Sequence, residues 1–253
     1  MDVRVTKEGF VAVVEICRGP DNYFDMALIG ELAEAFEAAD ADPGVRCVLL
    51  ASEGRNFCAG ADFSAPTART IGQSGGRHIY QEAVRLFRCR TPVVACVQGA
   101  AVGGGLGLSM VGDFRVASAQ TRFAANFSRL GLHAGFGLSV TLPRVVGAQM
   151  AALLFYTGRR IGGEEAARIG LVDVLAPQEG LRAAAMGLAA EIASSAPLAV
   201  TSMRETLRAG LADAVAAVTD RELAEQEKHF VSADLAEGVR AMAERRAPNF
   251  TGV

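Results

Sequence analysis

The chain has 253 residues, 51% of them hydrophobic, with a formal net charge of −3 and a pI near 5.7. That composition suits a soluble globular protein with a sizeable core. Because Lys and Arg are dispersed among Asp and Glu, it excludes the broad basic face that nucleic acid or an anionic membrane requires. Five cysteines, Cys17, Cys47, Cys58, Cys89 and Cys96, are widely spaced, with no CxxC pair and no histidine at metal-ligand spacing. They read as small buried hydrophobes in a reducing cytoplasm, with no metal site. The start, "MDVRVTKEGFVAVVEI", lacks the basic, apolar and small-residue order of a secretory signal. Residues 93 to 112 are uncharged and apolar, yet six of these twenty are glycine, and no aromatic belt flanks them. They are expected to be buried core, not a membrane span.

In chain order, "RVTKEG" and "VAVVEI" predict two strands, and "CRGPDN" breaks the pattern. Apolar positions Leu28, Leu32, Ala35, Phe36 and Ala39 predict a helix from Met26 to about Ala39, with Asp25 as its N-cap. Past the turn "DADPG", "RCVLLAS" reads as a strand too apolar to be half-exposed, followed by the loop "EGRNFCAGADFSAP". A helix over 76 to 88, the buried strand "PVVACV", a glycine run, a short helix and the strand "DFRVASA" come next. From about residue 178 onward the pattern is helical throughout. Alternating strands and helices predict an α/β fold with one main domain.

The stretch "AVGGGLGLSMVGD", 101 to 113, places Gly103, Gly104, Gly105 and Gly107 at the entry to a helix, where glycine is costly unless the backbone requires it. Neither the G-x-G-x-x-G fingerprint nor a phosphate loop fits, since Leu108 stands where a third glycine would fall and no lysine follows. Two readings stay open: a tight strand-to-helix turn packed on a neighbouring backbone, or backbone N–H groups bared to an oxyanion. The loop "FCAGADF", 57 to 63, also follows an apolar strand and also offers small residues, so two such loops could converge.

These stretches, "GRNFCAGADF" (54–63), "VQGAAVGGGLGLSMVGDFRVAS" (97–118), "LGLHAGFGLSVTLPRVVGA" (130–148) and "EGVRAMAERRAPNF" (237–250), resemble the crotonase superfamily, the enoyl-CoA hydratase/isomerase family, over essentially the whole chain. The resemblance implies a crotonase-like spiral of β-β-α units over 1–195 and an all-helical C-terminal region over 196–253 that builds trimers, often paired into hexamers. It implies an acyl-coenzyme A thioester as substrate, with no permanently bound cofactor. The amides of Ala61 and Gly104 would bind the thioester oxygen and stabilise an enolate-like intermediate. Residues of the "FCAGAD" loop, Cys58 and Ala59 with Ala61, would curl around the adenine end, and Arg245 would reach the CoA phosphates. Arg245 also suits a solvated helix end.

The chain departs from the family where hydratases carry two glutamates, because those positions hold Gly107 and Phe127. A further acid found in some relatives aligns at about Gly135. None of these can move a proton, which puts the two-carboxylate hydration mechanism in doubt. The remaining titratable candidates are His133, the best placed, and His78, Tyr80 and Glu82 on the helix "RHIYQEAVRLF", where His78 and Glu82 share a face. Asp62 is expected to hydrogen-bond its own loop, Tyr23 and Phe24 to wall the ligand site or simply to pack, and His229 to have no role. Three hypotheses follow: an enzyme moving protons next to a CoA thioester, a non-catalytic CoA-thioester binding protein, and a scaffold without ligand.

Overall fold

The computed structural model describes residues 2–62, 73–74 and 77–253. Strands β1 (Val3–Glu8) and β2 (Val11–Ile16) form a hairpin, and α1 (Met26–Ala41) follows, capped by Asp25, whose Oδ1 accepts the Leu28 N–H at 2.9 Å. Next come β3 (Cys47–Ser52), the short β4 (Gln73–Ser74) and β5 (Arg77–His78), and α2 (Ile79–Phe87). The helix expected from 76 therefore starts at Ile79, and residues 63 to 66, the end of the loop "EGRNFCAGADFSAP", lie outside the described residues. Then follow β6 (Val93–Val97), β7 (Ala100–Val102), α3 (Gly104–Ser109), β8 (Phe114–Ala117), β9 (Arg122–Ala124), α4 (Phe127–Leu130), α5 (Leu138–Val146) and α6 (Ala148–Thr157). The chain continues through β10 (Arg160–Gly162), α7 (Gly163–Arg168), β11 (Val174–Leu175), α8 (Leu181–Ser194), α9 (Pro197–Leu207), α10 (Leu211–Phe230) and α11 (Ala233–Glu244).

Six strands make the main sheet in the order β1-β2-β3-β6-β8-β11, antiparallel only between β1 and β2. Parallel neighbours need crossovers: α1, α2 and the β7–α3 segment supply the first three, and the stretch from β9 to α7 the fourth, between β8 and β11. Both faces of this sheet are covered, so β3 and β6 are buried at every position. The two-residue period still sorts them: Val48, Leu50, Val93, Ala95 and Val97 face the larger core, while Cys47, Leu49, Ala51, Val94 and Cys96 face α8. There Ala185, Ala189 and Ala193 lie one above another at helical spacing, and their small side chains let the helix lie close to the strands.

A second sheet, β10-β9-β7, was not foreseen, because its strands have three residues each and pair at long range. The apolar stretch 93 to 112 is split among β6, β7 and α3 and is buried core. Among the described residues no single helix is long and apolar enough to cross a membrane. The C-terminal helices fold back onto the same core: Leu211, Val215 and Leu235 join it, α10 packs on α2 and α5, and α11 packs on α4.

Asp113, at the turn before β8, holds one end of this assembly. Its carboxylate accepts the Val93 N–H at 2.8 Å, Arg204 Nε at 2.7 Å and an Arg208 N–H at 2.8 Å. Arg204 is buried and Arg208 partly buried, and Arg204 Nη2 and Arg208 Nε are buried atoms with no hydrogen-bond partner among the described residues. Removing the anion would leave two cations without compensation. Asp113→Ala is expected to lower the free energy of unfolding by about 3–5 kcal/mol, measured by chemical denaturation.

Candidate active site

The site begins as a backbone junction. The loop after β3 and the strand β7 meet in a parallel bridge between Cys58 and Ala101, with Cys58 N–H donating to Ala100 O at 3.1 Å and Val102 N–H to Cys58 O at 3.1 Å. Each member of the glycine triplet then has its own reason. Gly103 turns the chain from β7 into α3 at φ +55°, in the left-handed region that L side chains avoid. A β-carbon at Gly104 would collide with the Phe24 ring, and one at Gly105 with the Cys58 carbonyl. On the facing loop, a β-carbon at Gly60 would stand 2.8 Å from Val102 O and 3.7 Å from Gly104 N, so the two backbones touch here without side chains between them.

A clamp from the segment before α1 holds the facing loop. Asn22, fully buried, donates through its side chain to Glu53 O and Asn56 O, both at 2.7 Å, and accepts the Arg18 N–H at 3.0 Å. Ala59 N–H donates to Asp21 O at 2.9 Å, and Phe24 N–H to Gly60 O at 3.0 Å. The Ala61 and Gly104 amides, by contrast, donate to no acceptor among the described residues. Gly104 is the first residue of α3, and a helix has no internal acceptor for its first amides.

Both residues line one cavity of about 180 Å³, together with Tyr23, Phe24, Ala59, Asp62 and His78 from the first half of the chain. Asn126, Phe127 and Leu132 form the opposite wall, and Gln226, Phe230 and Met242 close it from α10 and α11. The sequence reading missed Asn126 and this C-terminal wall. Helical periodicity marked the helices but gave no sign of which residues faced a cavity more than a hundred positions away.

Aromatic rings occupy the places that the resemblance aligns with acids. A β-carbon at Gly107 would stand 2.6 Å from the Phe136 β-carbon, and one at Gly135 would stand 2.5 Å from the Tyr80 hydroxyl oxygen. Phe127 itself is buried against the cavity. Phe136 packs on Phe24 at 5.6 Å and on Tyr80 at 6.0 Å between ring centroids. It does so at φ +63°, a conformation costing a residue with a β-carbon of order 1–3 kcal/mol. Glu222 holds that turn, its carboxylate accepting the Gly137 N–H at 2.8 Å and the Ser139 N–H at 3.0 Å. Burial pushes the Glu222 carboxyl up from the usual carboxylate range, against these hydrogen bonds.

The other expected site residues separate. His133 does not line the cavity: its Nδ1 lies 2.8 Å from Ala134 O, and its amide donates to His229 Nδ1 at 3.0 Å. His229 thus has a structural role that the sequence did not suggest. Glu82 pairs with Arg85, and its Oε1 lies toward Gly30 of α1. Cys58 lies beneath the cavity wall, its backbone groups taken by β7 and its thiol pushed up to about 12 by burial. Arg245 is exposed at the end of α11, three residues past Met242, and among the described residues no ion pair or hydrogen bond engages its side chain, whereas Arg246 is tied to Glu237 and Glu244.

The sequence profile of the Enoyl-CoA hydratase/isomerase family matches residues 6–253. A crotonyl-CoA hydratase from Syntrophomonas wolfei is 33% identical over 258 residues, covering 98% of this chain and 97% of the relative. A 1,2-epoxyphenylacetyl-CoA isomerase from Escherichia coli is 32% identical over 237 residues, covering 91% and 90%. The crystal structure of an enoyl-CoA hydratase/isomerase from Pseudoalteromonas atlantica superposes with a TM-score of 0.89 at 31% identity, over 99% of this chain and 100% of that one. The chain belongs to the enoyl-CoA hydratase/isomerase family and has the crotonase fold.

His78 makes the polarity of the cavity wall measurable. It is the N-cap of α2, with Nδ1 accepting the Tyr80 N–H at 3.1 Å and its own N–H donating to Gln81 Oε1 at 3.1 Å. Burial lowers its pKa from 6.5 to about 4. Between those values the unfolded chain holds a proton that the folded chain does not, so the stability contribution is intact above about pH 6.5 and declines as pH falls toward about 4. An NMR titration is expected to find His78 neutral at pH 5, and His78→Gln to flatten this part of the stability–pH curve.

Proposed function

We propose that the protein is an enzyme that acts on an acyl-CoA thioester, holding the thioester oxygen at the Ala61 and Gly104 amides while an enolate-like intermediate forms. The observation that carries this reading is that two amides without acceptors line one cavity at the junction of the two glycine-bearing loops. Negative charge gathers on the thioester oxygen as the enolate forms, and fixed N–H donors stabilise that charge more than they stabilise the neutral substrate. Ala59 contributes wall rather than a donor, since its amide already serves Asp21. Arg245, its side chain unengaged beyond Met242, is assigned to the CoA phosphates.

Hydration needs a water that is held and deprotonated. Phe127 lines the cavity, and Phe136, buried behind the wall, fills the space beside Gly107, so neither place offers a group that could hold a water. The reading therefore favours double-bond migration or enolate protonation over water addition. The aromatic filling also supports a second reading, a CoA-thioester binding protein without turnover. Assembly as a trimer or a dimer of trimers belongs to the proposal too, supported by the exposed apolar side chains of Tyr156, Leu198 and Leu207.

The test is deuterium uptake from heavy water into saturated, enoyl and hydroxyacyl-CoA thioesters, read by mass spectrometry beside direct binding measurements. Exchange at the carbon next to the thioester is expected, and Ala61→Pro, which removes one donor, should lower it about 10²–10³-fold. Binding without exchange or product across the panel would replace the enzyme with the binding protein.

A further inference from the structure

We infer that Tyr80 is the residue that delivers the proton to the carbon next to the thioester, with Gln226 as its positioning residue. The inference rests on the reading that an enolate is held at Ala61 and Gly104.

Three observations converge on this hydroxyl. First, Tyr80 and Gln226 both line the cavity that holds the two unengaged amides. Second, the ring can lie where it does only because residue 135 is glycine: an added β-carbon would meet the Tyr80 ring and stand 2.5 Å from its hydroxyl oxygen. Third, the hydroxyl is held from one side. Gln226 Nε2 donates to His133 O at 2.8 Å, which fixes the amide, and reaches Tyr80 Oη at 3.4 Å. In this arrangement the tyrosine oxygen accepts from Gln226, and its own hydrogen has no acceptor among the described residues. The phenol can therefore donate to a bound molecule.

The surroundings agree with a donor that stays protonated. His78 stacks edge-on at 4.7 Å, Phe136 lies at 6.0 Å, and Glu222 sits one helical turn before Gln226 on α10. Burial pushes the phenol up to about 12. A group that keeps its proton through the neutral range suits protonation of a carbon base as strong as an enolate.

In the step itself the Tyr80 O–H bond breaks. The enolate electron pair forms the new C–H bond at the carbon next to the thioester, the thioester C=O re-forms, and the negative charge passes to Tyr80 Oη, which regains a proton from water. By microscopic reversibility the phenolate removes the same proton; because the phenol stays protonated through the neutral range, exchange runs through its minor phenolate form and its rate rises with pH, so it is read at pH 9 as well as at pH 7.

The experiment compares full-length wild type, Tyr80→Phe and Gln226→Leu for binding of butyryl-CoA and for its uptake of deuterium from heavy water. Tyr80→Phe keeps the ring and loses the hydroxyl. It is expected to bind butyryl-CoA within about threefold of wild type while exchange falls by about 10²-fold or more. Gln226→Leu should lower exchange by about tenfold with binding unchanged, as loss of one orienting hydrogen bond requires. Exchange by Tyr80→Phe close to the wild-type rate would overturn the assignment and leave the oxyanion reading standing. Loss of binding in step with exchange would reduce Tyr80 to a packing residue and overturn it as well. Wild type that binds without exchanging would overturn the enolate reading, and this inference with it.

Discussion

The structure turns on a close approach of two backbones. Cys58 and Ala101 are paired by two hydrogen bonds of 3.1 Å, and the Cys58 carbonyl lies against Gly105 with no room for a β-carbon between them. This contact joins the main sheet, through the loop after β3, to the small sheet, through β7. It also places the two unengaged amides at one cavity. A single added methyl at Gly105 would have to push the loops apart, because its neighbour is backbone and cannot rotate away. The chain supports the junction with contacts from a distant segment, above all Asn22, which is fully buried with its side-chain donor and acceptor both engaged. A buried amide left half-satisfied would be costly, so this clamp rigidifies the loop as well as positioning it.

Around that junction the site has exchanged polarity for packing. Glycine at 107 and 135 leaves volume that Phe136 and Tyr80 fill. Phe24 closes the cluster from the segment before α1. The turn that carries Phe136 is strained, and it is held by the buried Glu222 of α10 rather than by its own sequence neighbours. The same helix presents Gln226 one turn later, and with Phe230 it helps to close the cavity. The C-terminal helices thus contribute Gln226, Phe230 and Met242 to the cavity wall.

Much of the fold was legible beforehand. Apolar runs such as "RCVLLAS" and "PVVACV" marked strands buried on both faces, and the 3.6-residue pattern with Asp25 at its head marked α1 to within two residues at its end. The glycine triplet and the "FCAGAD" loop announced a place where backbone had to come close. The small sheet was not legible, since three-residue strands carry too short a pattern to distinguish from loop, and their pairing is fixed by partners far along the chain.

The candidate site shows the same division. The sequence by itself determined the residue chemistry: no carboxylate at 107, 127 or 135, glycines where backbone must pack, and a helix presenting His78, Tyr80 and Glu82. Tertiary structure decided which of these meet. His133 is near in sequence to the expected acid position, yet its ring pairs with its own neighbour's carbonyl and does not reach the cavity. Tyr80 reaches it and is held there by Gln226, 146 positions away. Local patterns report the period of an element and the chemistry of its side chains. Which side chains share a cavity depends on crossovers and on contacts between helices distant in the chain, and those exist only once the core has closed.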